Sequence, residues 1–554
     1  MDVFGLRASV IDNYRDYVES FLNIREEAIR DFVHKELHRG VLWPDALIQV
    51  SPSYVMGRTV SNLVGDGLID PLCADIFQKD GKTFHLYSHQ EEAIKLASRE
   101  EPYVLTTGTG SGKSLAYLVP IIDHVLKNGP EQEQVRALIV YPMNALINSQ
   151  SLEIQRLLDN LGAGHGGITF GQYTGQVGPA KRQYLQEHPP HILLTNYVML
   201  ELMMSRPAER VFLDRTISRL EFLVLDELHT YTGRQGADIS MLVRRVRQRC
   251  GNKGLLCVGT SATMVAGGTR AEQKEKVAEV ATKVFGTDVS ASSIIDERLK
   301  RSVGYEGEIE AHTLARAVDG AIPSDYAECT RSTLATWIDR AFGAEEQGGH
   351  YTRQAPRTLA DGALELSGIT GLEEARCQTA ISKMLLAGND IRHPDGSPVF
   401  ALRVHQFISQ GDSVYATVES CPSRTFTLSG QRWAEGGGDG ERLLVPLVFC
   451  RNCGQEYYQV TLDEAGPRIE PRLPGRLSDE EAENEVDGYL LLESDSAPVW
   501  DDERLEELPE NWFRPTKSGR SLKKEYRSFI PKLLHIHSNG SYAVSYTHLT
   551  LPTN

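Results

Sequence analysis

Apolar positions recur at helical spacing through VIDNYRDYVESFLNIREEAIRDFVHKEL, which predicts an N-terminal helical region over 1–85 with a loop around Pro44, Pro52 and Pro71. From about residue 86 the pattern changes. Short continuous apolar runs, YVLTT (103–107), ALIVY (137–141), HILLT (191–195), FLVLD (222–226) and LLCVGT (255–260), alternate with amphipathic stretches. Runs of this kind suit strands buried on both faces of a parallel sheet, so 86–290 is expected to be an α/β lobe. Residues 291–400 are expected to be mainly a helical insert, on segments such as CTRSTLATWIDRAFG. From 401 to 543 the alternation in SVYATVES and RTFTLSG predicts a β-rich module.

Composition changes this picture little. The 554 residues are 41% hydrophobic and 24% charged, as in ordinary globular proteins. No apolar run approaches the ~18 residues of a membrane span, and eight largely scattered cysteines point to a reducing cytoplasm. The net charge of −17 argues at first against a nucleic-acid partner. However, residues 461–512 hold 17 acidic side chains against four arginines, so −13 of the −17 lies in one Pro-punctuated stretch, read as a solvated linker. A basic cluster, Arg244, Arg245, Arg247, Arg249 and Lys253, lies elsewhere and reads equally as an exposed helix face.

The candidate chemistry begins at Thr106–Ser114, TTGTGSGKS, between the run YVLTT and the helical pattern LAYLVPIIDHVLK. Glycines let backbone N–H groups turn inward on phosphate oxygens, and the following helix adds the positive end of its dipole. Thr107, Gly108, Thr109, Gly110, Ser111 and Gly112 would form this loop. Lys113 would neutralise the β/γ-phosphates and Ser114 would ligate Mg²⁺. The strict G-x-x-x-x-G-K-[ST] pattern asks for glycine where this chain has Thr107. Asp226 and Glu227, ending the run FLVLD, could hold Mg²⁺ and polarise the attacking water. A DE pair of this kind also occurs simply as an acidic helix start.

The order of these motifs resembles the DEAD/DEAH-box helicases of superfamily 2. The resemblance implies a RecA-like lobe that uses ATP and Mg²⁺, with Asp226-Glu227-Leu228-His229 as the acidic box and His229 among its catalytic residues. HLYSHQEEAI is similar to the adenine-reading Q motif, which would put Gln90 on the adenine edge and Tyr87 against the ring. YPMNALINSQ and TNYVML resemble strand-gripping loops, implying nucleic-acid contacts from Pro142, Asn144, Ala145, Thr195 and Asn196. GTSATM supplies Ser261, Ala262 and Thr263 as the motif coupling hydrolysis to strand movement. LDELHTYTGRQGADISMLVRRVRQR narrows the resemblance to large bacterial helicases of repair and phage defence. That favours DNA over RNA and implies partner proteins of such systems. LRVHQFISQGDSVYATVE and PLVFCRNCGQEYYQV resemble the β-rich module those helicases carry between motor lobes.

The family pattern breaks beyond residue 265. Neither the T-x-x-x-x-x-G-x-D nor the Q-x-x-G-R-x-x-R motif of a second RecA-like lobe occurs there. An arginine finger is worth about 10³-fold or more in turnover, so the chain alone is expected to bind ATP weakly and hydrolyse it very poorly. Residues 544–553, VSYTHLTLPT, alternate like a strand but resemble the translated frame of a transposon adapter used in sequencing-library preparation. On that reading 544–554 is an artefact and the second lobe is lost by truncation. Cys450 and Cys453 form the C-x-x-C-G of a zinc knuckle, with only Cys421, His405, His535 and His537 as further ligands. A half-built knuckle without Zn²⁺ fits equally well. The leading expectation is an ATP-dependent nucleic-acid helicase or translocase; a nucleotide-dependent clamp that never unwinds, or a non-enzymatic binding module, are the alternatives.

Overall fold

The computed structural model describes the chain except residues 1, 109, 131–132, 163–166, 253, 263–266, 304–306, 410–412, 421, 435–440, 464, 473–484, 494–501, 517–518 and 545–554. Thr109, Thr263, Lys253, Cys421, much of the acidic stretch and nearly all of the 544–554 tail therefore lie outside the described residues.

The chain divides into two compact units. One comprises Met1–Gln49, Pro356–Leu386 and Arg403–Asn554; the other comprises Val50–Ala355 and Ala387–Leu402. In the first unit, α1 (Val3–Ser20) opens on Asp2, whose carboxylate accepts the amides of Phe4 and Gly5. On α2 (Glu27–His38), Ile29, Val33 and Leu37 recur every fourth residue and all are buried. They share one core with Val445, Leu447, Tyr458 and Val460 of an antiparallel sheet. In that sheet the strand Glu456–Asp463 pairs with Leu444–Phe449, Arg468–Pro471 and Glu485–Leu490.

This division differs from the linear boundaries expected from the sequence. The N-terminal helices and the β-rich module, expected as separate regions 1–85 and 401–543, share one apolar core. Residues Val60, Leu63, Cys73 and Phe77 instead join the core of the second unit.

The second unit is built on seven strands: β1 (Tyr103–Thr106), β2 (Ala137–Tyr141), β3 (Phe170–Gln172), β4 (Ile192–Asn196), β5 (Phe222–Leu225), β6 (Leu256–Ser261) and β7 (Ile294–Asp296). Their order is β7-β1-β6-β5-β2-β4-β3, and every pairing is parallel. Alternate residues serve opposite faces. Leu105, Ile139, Leu194 and Val224 enter one core, whereas Val104, Leu138, Leu193 and Leu223 enter another. With helices over both faces, the apolar runs need no polar alternation, and the lobe is RecA-like α/β as expected. No helix among the described residues is long and apolar enough to cross a membrane.

Candidate nucleotide site and strand-facing loops

Strands β1, β6 and β5 are neighbours in the sheet and point the same way, so the loops leaving them share one edge. Carboxyl ends of parallel strands are where open α/β sheets bind ligands. The phosphate-type loop leaves β1 and runs into α3 (Lys113–Lys127). Gly110 and Gly112 take φ of +82° and +67°, a region costly to any residue with a Cβ. A Cβ on Gly112 would also lie 2.5 Å from Gln90 Nε2. Thr107 has no positive φ, so the departure from glycine leaves the backbone unstrained. Its hydroxyl lies 2.6 Å from that of Ser111 and closes the loop on itself.

Gln90 braces this loop from below. Its Oε1 accepts the Tyr87 amide at 2.8 Å, and its Nε2 donates to the carbonyls of Gly112 (2.9 Å) and Ser111 (3.3 Å). Gln90 is 2% exposed, and in this state its amide serves the loop rather than an open adenine edge. His89 Nε2 lies 3.0 Å from the Ser111 carbonyl, and burial pulls its pKa below the usual histidine value. The Tyr87 ring packs against Tyr54, with centroids 4.8 Å apart, and against His89 at 5.5 Å.

The acidic box follows β5. Lys113 Nζ reaches both Glu227 carboxylate oxygens, at 3.2 and 3.3 Å. Asp226 is buried and accepts the Thr260 hydroxyl, whose oxygen in turn accepts the Glu227 amide at 3.1 Å. Burial is the largest influence on Asp226 and raises its pKa above the usual carboxylate range, whereas Thr260 and Lys113 pull it back. His229 Nδ1 lies 3.3 Å from Glu227 Oε2, accepts the Ala262 amide at 3.3 Å and lies 3.4 Å from the Ser261 hydroxyl. The acidic box and the Ser261–Ala262 segment are thus in direct contact. Ser114, on the first turn of α3, and Asp226 offer the oxygen donors a hard dication such as Mg²⁺ prefers.

Three residues of this site lie outside every motif read from the sequence: Tyr54, Glu297 and Arg353. Thr260 lies within GTSATM, but only its three following residues were given a role there. Glu297 accepts the Gly108 amide at 3.1 Å and holds Arg353 through two bonds of 2.9 and 3.0 Å. Arg353 also donates to the Tyr54 hydroxyl at 2.6 Å. Gly108, Ala262, Glu297 and Arg353 line a cavity of about 660 Å³ beside the loop.

The strand-gripping candidates occupy the ends of β2 and β4. Asn196 Nδ2 donates to Asn144 Oδ1 at 2.7 Å, and Asn196 Oδ1 caps the helix Tyr197–Ser205 by accepting the Met199 amide. Ala145 is exposed, and Pro142, Asn144 and Asn196 are half-buried. Thr195 differs: it is fully buried and its hydroxyl donates to the Tyr173 carbonyl at 2.8 Å. It supports the loop from beneath. The basic cluster is partly neutralised, with Arg245 on Glu201 and Arg249 on Asp214. Cys450 is half-buried and Cys453 exposed, and no third metal-ligating side chain joins them among the described residues.

Residues 87–271 match the DEAD/DEAH box helicase family. The chain is similar to the uncharacterized ATP-dependent helicase YprA of Bacillus subtilis (strain 168), 32% identical over 166 residues, which are 30% of this chain and 21% of that protein. It is 25% identical over 369 residues to Druantia protein DruE of Escherichia coli (strain UMEA 4076-1), covering 46% of this chain and 20% of that one. ATP-dependent helicase HRQ1 of Saccharomyces cerevisiae (strain ATCC 204508 / S288c) is 30% identical over 205 residues, 36% of this chain and 18% of its own. The matched regions thus span about a fifth of the length of these relatives. Residues 87–271 are a DEAD/DEAH box helicase domain on a RecA-like α/β lobe.

Proposed function

We propose that this chain supplies the ATP-binding lobe of an ATP-dependent nucleic-acid helicase or translocase, with DNA as the preferred track. The observation that carries the reading is the meeting of Lys113, Glu227 and the Thr260-held Asp226 at the ends of adjacent strands. Backbone amides of the loop from Gly110 to Ser114, at the start of α3, cradle the phosphates, and Lys113 leaves Glu227 to neutralise the β/γ oxygens. Ser114 and Asp226 hold Mg²⁺, which when bound offsets the phosphate charge. Glu227, released by Lys113, orients the attacking water and accepts its proton. Gln90 keeps the loop open for phosphate and, with Tyr87, borders the adenine. His229 passes changes at the acidic box to Ser261, Ala262 and Thr263.

The loops with Pro142, Asn144, Ala145 and Asn196 grip a strand backbone, with Thr195 supporting them, and such contacts are independent of sequence. The choice of DNA and of repair- or defence-system partners rests on the likeness of LDELHTYTGRQGADISMLVRRVRQR to repair and phage-defence helicases. With no arginine-finger motif after residue 265, the chain by itself binds ATP and turns it over slowly.

Fluorescence anisotropy with labelled single-stranded DNA and RNA of matching sequence, with and without a non-hydrolysable ATP analogue, tests this. The expected result is tighter binding to DNA that changes with the analogue and weakens in Asn144→Ala/Asn196→Ala. Equal affinity for RNA removes the DNA preference, and no binding to either in any nucleotide state contradicts the helicase reading.

A further inference from the structure

A second cluster lies in the unit that holds α1 and α2. Glu19, near the end of α1, faces His34 and His38 on α2. His34 Nδ1 lies 3.6 Å and His38 Nδ1 3.7 Å from Glu19 Oε1, and one ligand atom from each of the three residues falls within 4.8 Å of the others. We propose that these three side chains bind a zinc-class dication that fastens α1 to α2.

Several observations point to a metal rather than to an incidental surface group. The i, i+4 spacing of His34 and His38 puts both rings on one helix face, as paired metal-binding histidines require. Glu19 Oε1 is buried yet accepts no hydrogen bond. An unsatisfied buried carboxylate oxygen is costly, and a cation between it and the two rings satisfies it. The backbone is held on both sides, because His34 and His38 directly follow the core residues Val33 and Leu37, and Glu19 follows Val18, which packs against that core. Tetrahedral zinc bound at ~2.0–2.2 Å sets its ligand atoms roughly 3.3–3.5 Å apart, a few tenths of an ångström inside the two distances from Glu19 to the histidines.

The donor set also selects the ion. Two imidazoles and one carboxylate suit Zn²⁺, Co²⁺ or Ni²⁺, whereas Mg²⁺ and Ca²⁺ prefer oxygen alone. Three protein ligands leave one position for water. Loading has one competitor: His38 Nδ1 lies 2.9 Å from the His34 carbonyl, and metal binding replaces that bond. The cysteine pair Cys450 and Cys453 is a separate feature and contributes no ligand to this cluster.

The test is calorimetric titration of the chelator-treated 554-residue chain with Zn²⁺, repeated with Co²⁺ to read tetrahedral coordination from its visible absorption. One Zn²⁺ per chain is expected, undisturbed by millimolar Mg²⁺ and by Cys450→Ser/Cys453→Ser. His34→Ala/His38→Ala should abolish it. Glu19→Gln should weaken it by no less than the ~10- to 100-fold that loss of a group merely orienting a ligand costs. Circular dichroism checks that the variants fold, and both histidines are substantially exposed, so their removal leaves the core intact. Failure of the wild-type chain to bind Zn²⁺, unchanged affinity in His34→Ala/His38→Ala, or loss only in the cysteine variant would each overturn the proposal.

Discussion

Lys113 Nζ lies 3.2 Å from Glu227 Oε1 although 114 residues separate them in the chain. The ammonium that would meet a phosphate is held by the carboxylate that would meet the water, so each neutralises the other until a nucleotide intervenes. Removing only the negative charge separates the two roles. Glu227→Gln is expected to bind ATP at least as tightly as wild type. Its turnover is expected to fall by the ~10²–10⁴ that a positioned general base contributes. Nucleotide affinity and single-turnover hydrolysis measured on the same preparation check this. A variant with unchanged turnover would remove Glu227 from the reaction.

Thr260 is the support beneath the acidic box, joined to both Asp226 and the Glu227 amide. Thr260→Val keeps the shape and deletes the hydroxyl. A hydrogen bond to a charged group is worth ~1.5–3 kcal/mol, and loss of that order is expected in thermal or denaturant unfolding. The Mg²⁺ concentration needed for half-maximal nucleotide binding should rise as well, since Asp226 loses the partner that orients it.

Gly112 and Thr107 make opposite predictions within one loop. Gly112→Ala forces a Cβ onto a backbone at φ +67° and against Gln90 Nε2. A cost of ~1–2 kcal/mol and a clear loss of ATP affinity are expected. Thr107→Gly restores the residue usual in phosphate loops, yet it deletes the bond to Ser111 and frees the backbone. It is expected to destabilise the loop by about 1 kcal/mol and to leave ATP affinity no better. Isothermal titration of both variants distinguishes these outcomes.

Asp226 gives the pH dependence. Its pKa is raised above the usual carboxylate value of 3.8, first by burial and further by Glu227. A raised folded value means the folded state keeps this proton where the unfolded chain has released it. The associated stability is therefore present below the ordinary value and lost as pH rises through the folded one. Mg²⁺ needs the anion, so metal-dependent nucleotide binding should weaken as pH falls toward that raised value. Comparing Mg²⁺-dependent ATP affinity at about pH 7.5 and about pH 5 in wild type and Asp226→Asn tests it, because the variant should lose the difference.

Much of the lobe was legible because burial on both faces writes itself into a sequence as continuous apolar runs. All five runs read from the sequence correspond to strands, with ends shifted by at most one residue. Phe170–Gln172 and Ile294–Asp296 were not legible: each is three residues long at a sheet edge, and the first contains Gly171. The stripe Ile29–Val33–Leu37 announced a buried face but not its partner, which lies some four hundred residues along the chain. The site divides in the same way. Lys113, Asp226 and Glu227 sit in contiguous motifs whose spacing carries the chemistry. Thr260 stands inside GTSATM, yet its role was hidden because it is to hold another residue; Tyr54, Glu297 and Arg353 were hidden because tertiary packing alone brings them to Gly108.

Lys113 and its loop are expected to form an ATP site closed by the acidic box. Titration of a fluorescent ATP analogue into wild-type chain and Lys113→Ala, with Mg²⁺ present, tests it most directly. Wild type is expected to bind saturably and with Mg²⁺ dependence, and the variant at least about tenfold more weakly, since one phosphate-facing ammonium is lost. Equal affinities in the two proteins would contradict it.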